Sequence, residues 1–272
     1  MYFSAKSHVY VHQYHLSTKT QGDAILLKTP RGQFLLIDGG GNAFYDVGKI
    51  TVLPYLHRRG IRQLSLLLNT HPDNDHLQGV ESVSEEIPVK YLALPGSLSK
   101  SKEYRPLKQI AVRNSIPVLN LQAGQAIKLE EGLRIKVLHP GGQVLDKNDN
   151  NNQSVVLSVS YGNFSMLLTG DIGVEAMQAL LNEGQLAATT IVKVPHHGSK
   201  GSLLPQFYKA ISPRYAVISV GSNNIFGHPN PGVVDMLQQN NIKILRTDKD
   251  GAVIMRTNGE ELSVSRTITA EE

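Results

Sequence analysis

The sequence contains no cysteine and no tryptophan, and aromatic residues make up only 6% of it. The absence of cysteine excludes disulfides, thiolate metal ligands and cysteine nucleophiles, so a metal site must be built from imidazole, carboxylate or backbone oxygen. Apolar runs approaching the roughly 20 residues that span a bilayer are also missing, and residues 1–6 lack the apolar stretch of a secretion signal. We therefore expect the chain to be soluble as given.

The remaining composition is that of an ordinary globular protein. Of the 272 residues, 40% are hydrophobic and 18% are charged, which is enough to build a sizeable core. The formal net charge of +4 is compatible with a polyanionic substrate, although many basic proteins bind no nucleic acid.

Short β-branched or Leu-rich runs alternate with helical patterns, which predicts an α/β fold. We predict strands at residues 9–15, 24–29, 33–38, 64–69, 155–161, 164–169, 190–194 and 215–220, and helices at 46–60, 174–182 and 231–240. Two or three closing strands are expected within 243–266. Because the second half repeats the plan of the first, we expect a single domain over 1–272 with pseudo-repeat halves of about 1–125 and 126–272.

The most informative motif is the run from His71 to His76 (HPDNDH), directly after the strand predicted at 64–69. A tight loop at a strand end can direct these two histidines, together with Asp73 and Asp75, at one spot. Imidazole and carboxylate ligands together suit Mn²⁺, Zn²⁺ or Fe. The alternative is a solvated polar loop in which Asp75 is the N-cap of a helix.

Three further strands end in residues that can bind a metal or a phosphate. Asp171 can bridge two cations, or it caps the helix predicted at 174–182. His196 and His197 follow the next strand, unless they form an ordinary surface turn, and His228 lies between a glycine and a proline, a pattern more often found in a turn than in a site. Because ligands in α/β folds gather beyond the carboxyl ends of strands, the four elements together predict one shared site.

These motifs resemble those of the metallo-β-lactamase superfamily, whose signature is H-x-[HD]-x-D-H, then Gly-Asp, then a late histidine. Over nearly the whole chain, their order is similar to that of the C-terminal domain of the ComEC family of bacterial DNA-uptake (competence) channel proteins. The matching runs are Gln21-Gly22-Asp23-Ala24-Ile25, Leu36-Ile37-Asp38-Gly39-Gly40, the run from His71 to His76, residues 151–154, Thr169-Gly170-Asp171, His196-His197-Gly198-Ser199 and Gly227-His228-Pro229.

The resemblance implies an αββα sandwich of two mixed β-sheets flanked by helices, with two divalent metal ions between the sheets and hydrolysis of DNA. Full-length relatives carry membrane segments that form a channel for one DNA strand. This domain would then degrade the other strand while attached to the membrane in the bacterial cell envelope. The chain departs from the family at residues 17–23, where relatives usually carry Asp-Val-Gly-Gln-Gly-Asp. A mid-chain histidine ligand is not evident unless His139 serves, and Asn151 or Asn152 lies nearer the expected place.

Carried over to this chain, the resemblance assigns six metal ligands. One metal is expected on His71, Asp73 and Asp171. The other is expected on Asp75, His76, Asp171 and His197, and metal-activated water would be the nucleophile. The expected catalytic residues are Asp75, His228 as the first candidate for protonating the leaving oxygen or binding phosphate, and His196 as the second. The expected phosphate contacts are Ser199, Lys200, Ser202 and Asn151.

Because Asp73 replaces a histidine of the lactamases, we expect Mn²⁺ to support activity best, although Zn²⁺ should bind more tightly. The expected partners are DNA in single-stranded form and, if the chain is an excised domain, the channel domains of a full-length protein; the oligomeric state stays open. One alternative is a free-standing metallo-hydrolase of a small ester, lactone or phosphocholine. Another is a domain that binds DNA without catalysis.

Overall fold

Strands and helices alternate along the chain, and the strands form two sheets. The computed structural model describes residues 8–13, 21–141, 149–222 and 224–268, so the end of the first predicted strand, the departing loop at 17–20 and Asn223 lie outside the described residues. The helices are α1 (Leu53–Arg58, entered through a π-helical turn at Gly48–Val52), α2 (Asn74–Glu86), α3 (Arg105–Arg113), α4 (Val174–Asn182), α5 (Pro205–Ile211), α6 (Pro231–Gln239) and the short α7 (Thr247–Asp250).

The first sheet has eight strands. In order across the sheet, they are β15 (Leu262–Arg266), β14 (Val253–Thr257), β1 (Val9–Gln13), β2 (Ile25–Lys28), β3 (Phe34–Ile37), β4 (Leu66–Leu68), β5 (Leu92–Pro95) and β6 (Val118–Leu121). The strands from β3 to β6 run parallel to one another. The other neighbours are antiparallel, so the last two strands of the chain extend the sheet that the first strands begin.

The second sheet has seven strands. In order across the sheet, they are β13 (Lys243–Arg246), β12 (Tyr215–Ile218), β11 (Ile191–Lys193), β10 (Phe164–Leu168), β9 (Val156–Tyr161), β8 (Leu133–His139) and β7 (Ala126–Ile127). The strands from β10 to β13 are parallel, and the remaining pairs are antiparallel. The strands predicted at 155–161 and 164–169 are confirmed as the antiparallel pair β9 and β10, and three closing strands are present where two or three were expected.

Three apolar layers hold the two sheets and the helices together. Because side chains alternate across a strand, Leu66 and Leu68 of β4 pack between the sheets, while Leu67 packs under the helices of the first half. In the same way, Leu157 of β9 lies between the sheets and Val156 lies under the helices of the second half. The predicted αββα sandwich is therefore confirmed. None of the described helices has both the length and the apolarity needed to cross a membrane.

Candidate metal centre

The loops that follow β4, β10 and β11 meet at the carboxyl-terminal edge of the parallel strands, as predicted. The run from His71 to His76 follows β4 and forms the first turn of α2, Asp171 follows β10, and His197 follows β11. His71, His76 and His197 are fully buried, and Asp171 is 2% exposed. The structure thus brings residues from both halves of the chain into one buried polar cluster between the sheets.

Four ligand atoms of this cluster converge. His76 Nε2 lies 3.2 Å from Asp171 Oδ2, and His197 Nε2 lies 3.0 Å from the same oxygen. His197 Nε2 is also 3.3 Å from Asp75 Oδ2 and 3.4 Å from His76 Nε2. Ligands bound at about 2.1 Å are about 3.0 Å apart in an octahedron and about 3.4 Å apart in a tetrahedron. The ligand atoms of His76, Asp171 and His197 are therefore mutually spaced as the ligands of one divalent cation, and Asp75 Oδ2 lies at a matching distance from His197.

His71 forms a second group with His76 and Asp171, in which one ligand atom of each lies within 4.8 Å of the others. The Nε2 atom of His71 is buried and has no hydrogen-bond partner among the described residues. A buried polar atom without a partner is costly, and a cation would satisfy it. Asp73 Oδ2 lies 3.9 Å from this nitrogen, and the Asp73 side chain is 42% exposed. The second group is therefore buried at its three shared ligand atoms, and Asp73 would reach it from a more exposed position.

A hydrogen bond to the opposite ring nitrogen orients each histidine. His76 Nδ1 donates to Asp38 Oδ2 at 2.8 Å, and His197 Nδ1 donates to the backbone carbonyl oxygen of Ser219 at 2.8 Å. In the neutral rings, Nε2 is then left with a free lone pair directed at the cluster. Metal-binding histidines are typically oriented in this way by a carboxylate or a backbone carbonyl.

The orientation of His71 follows from a single hydroxyl proton. Thr70 Oγ1 donates that proton to Asp38 Oδ2 at 2.7 Å, so it must accept the hydrogen bond that His71 Nδ1 forms at 3.0 Å. Asp38 also accepts hydrogen bonds from the Thr70 backbone at 2.7 Å and from Asn69 Nδ2 at 2.9 Å. One buried carboxylate therefore orients His76 directly and His71 through Thr70.

Replacing Asp38 with asparagine should weaken metal binding about 10- to 100-fold, as is typical when a carboxylate behind a ligand is lost. The hydrogen-bond donors around Asp38 are shared between its two carboxylate oxygens, whereas the asparagine side chain has only one oxygen. At least one donor would therefore face the NH₂ group of the amide. Asparagine tolerates the left-handed backbone of Asp38 (φ 56°), so the fold should persist. Competition with a chromophoric chelator measures the affinity, with Asp235→Asn on exposed α6 as the control. Unchanged affinity in a folded Asp38→Asn variant would contradict this orienting role.

Lys193 is a buried cation beside the cluster. Its side chain is 1% exposed, and Nζ lies 2.7 Å from Asp23 Oδ2 and 3.3 Å from Asp171 Oδ1. Nζ also donates to the carbonyl oxygen of Gly170 at 2.8 Å. Burial by itself lowers the pKa of this amine, but the charges of Asp23 and Asp171 raise it by more than burial lowers it. The pKa of Lys193 is therefore above the ordinary value, and the side chain stays charged. Lys193 therefore holds one oxygen of Asp171 and leaves the other facing the histidines.

The carboxylates also determine where the metal-free cluster holds protons. Burial lowers the pKa of His197, but Asp171 and Asp75 raise it to about 9. The pKa of His76 is likewise raised well above its ordinary value, because Asp171 and other carboxylates outweigh the effect of burial. At neutral pH both rings are protonated, and a cation must displace those protons. Metal affinity should therefore rise with pH at least through the pKa of His197, which is about 9.

The backbone adopts strained conformations at some of the residues that carry these side chains. His196, His197 and Gly198 are consecutive left-handed residues with φ of 46°, 54° and 76°, which is costly for side chains larger than hydrogen and is concentrated at functional sites. On α2, a Cβ at Gly79 would lie 1.9 Å from the carbonyl oxygen of Gly39. Only glycine lets this helix approach the loop after β3 closely enough for His76 to reach Asp38.

The capping alternatives are wrong. The N-cap of α2 is Asp73, whose side chain makes no capping hydrogen bond, and Asp75 lies within the first turn. The N-cap of α4 is Gly173, two residues beyond Asp171. Both Asp75 and Asp171 instead direct an oxygen towards His197.

The predicted phosphate contacts differ in their surroundings. The Oγ atom of Ser199 and the Oδ1 atom of Asn151 are buried without a hydrogen-bond partner among the described residues, and Lys200 is exposed. The hydroxyl of Ser202 donates to the Ser199 carbonyl oxygen at 2.7 Å, so its proton is engaged within the turn. His139 Nε2 hydrogen-bonds to the Asn152 carbonyl oxygen at 2.8 Å and belongs to no ligand cluster found among the described residues.

The sequence-based assignment missed three residues: Asp23, Asp38 and Lys193. Asp38 follows β3 as Asp171 follows β10, so the strand-end rule could have found it. A lysine within the apolar run Ile191-Val192-Lys193-Val194 signals a buried cation that needs a carboxylate. Nothing in the sequence identifies Asp23 as that carboxylate, because the two residues meet only when the sheets pack together.

The sequence model of the Metallo-beta-lactamase superfamily matches residues 17–222. The chain belongs to this superfamily. Membership implies a metal-dependent hydrolase with divalent cations, and the His and Asp clusters described above are suited to hold them.

Within this superfamily, the chain is similar to three bacterial proteins. The chain is 34% identical over 251 residues to ComE operon protein 3 of Bacillus subtilis (strain 168), covering 87% of the chain and 32% of that protein. It is 30% identical over 248 residues to competence protein ComA of Neisseria gonorrhoeae (86% and 30%) and 28% identical over 244 residues to recombination protein 2 of Haemophilus influenzae (86% and 29%). The predicted resemblance to ComEC family competence proteins is confirmed, and the chain spans about a third of the length of these relatives.

Solved structures confirm the fold. A diphosphatase of the PhnP family matches with a TM-score of 0.52 and 14% identity, over 92% of this chain and 98% of that one. Zn²⁺-bound PqqB from Methylobacterium extorquens matches with a TM-score of 0.53 and 12% identity, over 88% and 97%. Identities this low show the shared fold of this superfamily member and nothing finer.

Proposed function

We propose that this superfamily member is a two-metal phosphodiesterase that hydrolyses DNA. The observation that carries the proposal is the convergence of Asp75, His76, Asp171 and His197 next to the unpartnered Nε2 atom of His71. These residues would hold one cation tightly and a second more openly, with Asp73. Divalent cations held there would acidify water and neutralise the charge that develops on the phosphoryl oxygens.

The rim of the cluster supplies a candidate proton donor. The His228 ring centroid lies 5.9 Å from that of His196, which lies 6.1 Å from that of His197. In the metal-free protein, burial lowers the pKa of His228, and His197 and His196 lower it further. The negative charge of a bound phosphate would favour the protonated ring, which would then give its proton to the leaving oxygen. We propose His228 for this role, with the Ser199 hydroxyl and Lys200 as phosphate contacts.

A basic groove supports a polyanionic substrate. It has a volume of about 600 Å³ and lies along the start of α3, where its cationic lining consists of Lys100, Lys102, Arg105, Lys108 and Arg113. The adjoining Tyr104 hydroxyl donates to Asn69 Oδ1 at 2.8 Å, and Asn69 in turn bonds to Asp38. The segment that carries the groove is thus connected through buried hydrogen bonds to Asp38, and the charges of the groove suit a phosphate backbone.

The relatives suggest a biological setting for this proposal. Because one of them is named as a competence protein and the chain resembles the ComEC family, we propose that the domain degrades the non-transported strand during DNA uptake. Its partners would then be single-stranded DNA and the membrane channel domains of a longer protein, attached to the bacterial cell envelope.

The test is hydrolysis of end-labelled single- and double-stranded DNA by metal-stripped protein with each ion added back. We expect Mn²⁺ to restore the highest turnover, because Mn²⁺ in an oxygen-rich site accepts phosphate oxygens as additional ligands more readily than Zn²⁺ does. We expect Zn²⁺ to displace Mn²⁺ and to support a lower turnover. DNA binding should weaken several-fold or more with added salt, as counterion release requires. Nitrocefin and a lactone serve as comparison substrates in the same assay.

Two outcomes would count against the proposal. Faster turnover of nitrocefin or the lactone than of DNA would favour the small-ester hydrolase. Salt-dependent DNA binding without any hydrolysis in the presence of Mn²⁺ or Zn²⁺ would favour a non-catalytic DNA-binding domain. Full activity with Zn²⁺ and none with Mn²⁺ would leave the phosphodiesterase in place but reject the metal preference.

A further inference from the structure

A row of aromatic rings leads from the buried cluster of His and Asp side chains to the surface. Beyond His197, His196 and His228, the next ring is Phe226, whose centroid lies 5.9 Å from that of His228 with the two planes inclined by 19°. The row is built from two separate loops, one after β11 and one after β12. Its outer member, Phe226, is 64% exposed.

Phe226 and Phe44 (93%) are both exposed, whereas two other phenylalanines of the described residues are buried. Phe164 and Phe207 are buried in the apolar layers. Scattered exposed hydrophobic residues need no explanation, but Phe226 lies next to the proposed proton donor, and its neighbour Ile225 is 91% exposed. An aromatic ring with one face towards His228 and the rest of its surface in water leaves a π-face for a ligand beside the cluster.

The loop that carries Phe226 is held in place by one side chain. Asn224 Nδ2 donates to the carbonyl oxygens of His228 at 2.8 Å and Gly221 at 3.0 Å, and Asn224 Oδ1 accepts from the His228 backbone at 2.8 Å. These bonds close the loop on both sides of Phe226. A ring that is already positioned loses less entropy when a ligand stacks on it.

We propose that Phe226 is a stacking platform for an unpaired nucleobase next to the scissile phosphate. The proposal rests on the proposed phosphodiesterase function and names the part of the substrate that lies outside the metal cluster. Every base has a π-face, so stacking tolerates sequence, whereas in a duplex those faces are covered by neighbouring base pairs. Phe226 thus selects single strands, while the basic groove along α3 binds the backbone without regard to strandedness.

The first experiment uses the absence of tryptophan from the chain. Phe226→Trp introduces a single tryptophan at the platform, and this residue can be excited selectively over the ten tyrosines of the chain. Titration with a single-stranded phosphorothioate oligonucleotide, which slows cleavage, should quench its fluorescence. An oligonucleotide of equal length and charge with abasic positions should quench little and bind about 5- to 100-fold more weakly, the range expected for loss of one stacked base. Equal quenching and affinity for both oligonucleotides would overturn the proposal.

The second experiment measures cleavage of the same base-containing and abasic strands by variants. On the base-containing strand, kcat/KM should fall about 5- to 100-fold in Phe226→Ala and be retained in Phe226→Tyr, whereas on the abasic strand Phe226→Ala should change nothing further. Phe226→Leu separates stacking from simple apolar contact: full rescue by leucine would overturn the proposal. The control is Tyr91→Ala, an aromatic residue 37% exposed at the opposite, amino-terminal end of β5.

The two experiments separate this inference from the proposed function. Base-dependent quenching in a protein that cleaves no phosphodiester would support the platform and reject the phosphodiesterase. Cleavage of DNA that is equally fast in wild type and Phe226→Ala would support the phosphodiesterase and reject the platform.

Discussion

Asp171→Asn should reduce bound metal below two equivalents and abolish hydrolysis while leaving the fold intact. Asp171 Oδ2 is the atom that both His76 and His197 approach, at 3.2 and 3.0 Å, and Asp171 also belongs to the group that contains His71. An amide keeps the size of the side chain but removes the charge that balances the cations. Elemental analysis gives the metal content, and circular dichroism gives the fold.

The metal-free variant provides an independent readout. Asp171 is the strongest of the groups that raise the pKa of His197 to about 9, so Asp171→Asn should lower that pKa. NMR titration of the imidazole measures the change, and the exposed Asp235→Asn variant should leave metal content, activity and this pKa unaltered. A folded Asp171→Asn protein that still binds two equivalents of metal would refute the bridging assignment.

Lys193→Met should lower the free energy of unfolding by about 3–5 kcal/mol, the typical cost of removing one partner from a buried ion pair. Methionine matches the length of the stem but leaves Asp23 and Asp171 as buried carboxylates without their cation, where the shortest contact with Nζ is now 2.7 Å. Denaturant unfolding of the metal-free protein measures the effect. Lys209→Met on exposed α5 should change stability by no more than about 0.5 kcal/mol.

A double variant distinguishes charge from packing in this prediction. Adding Asp23→Asn to Lys193→Met removes the carboxylate charge that made the shortest contact with Nζ, so it should recover part of the lost stability, because the effects of residues in contact are not additive. If the double variant is as unstable as the sum of the single variants, the loss comes from packing. If Lys193→Met unfolds at the wild-type denaturant concentration, the ion pair does not stabilise the fold.

The sequence predicted the elements and the ligands for a local reason. Strand and helix periodicity depends on near neighbours along the chain, so α4 and the β9–β10 hairpin were found at the predicted positions. The ligand motif from His71 to His76 is equally local, since its loop and the first turn of α2 follow one strand. The rule that ligands gather at the carboxyl ends of strands then placed Asp171 and His197 beside it.

Other features were beyond local patterns. The sequence predicts closing strands at 243–266, but not that β13 joins one sheet while β14 and β15 join the other. Strand pairing depends on contacts between distant residues, such as Val11 of β1 with Met255 of β14. The π-helical turn before α1 was also not anticipated, because its hydrophobic spacing is similar to that of an α-helix.

By itself, the sequence determined the chemistry available to the centre: with no cysteine in the chain, a metal had to be held by imidazole, carboxylate or backbone oxygen. The alternation of strand and helix patterns indicated the fold class. The tertiary structure decided how those groups act. It put Asp38 behind His76, gave one oxygen of Asp171 to Lys193 and the other to the histidines, and left Phe226 exposed at the rim. The polar contacts among these outcomes depend on separations of about 3 Å between atoms that lie far apart along the chain, and only tertiary packing sets such separations.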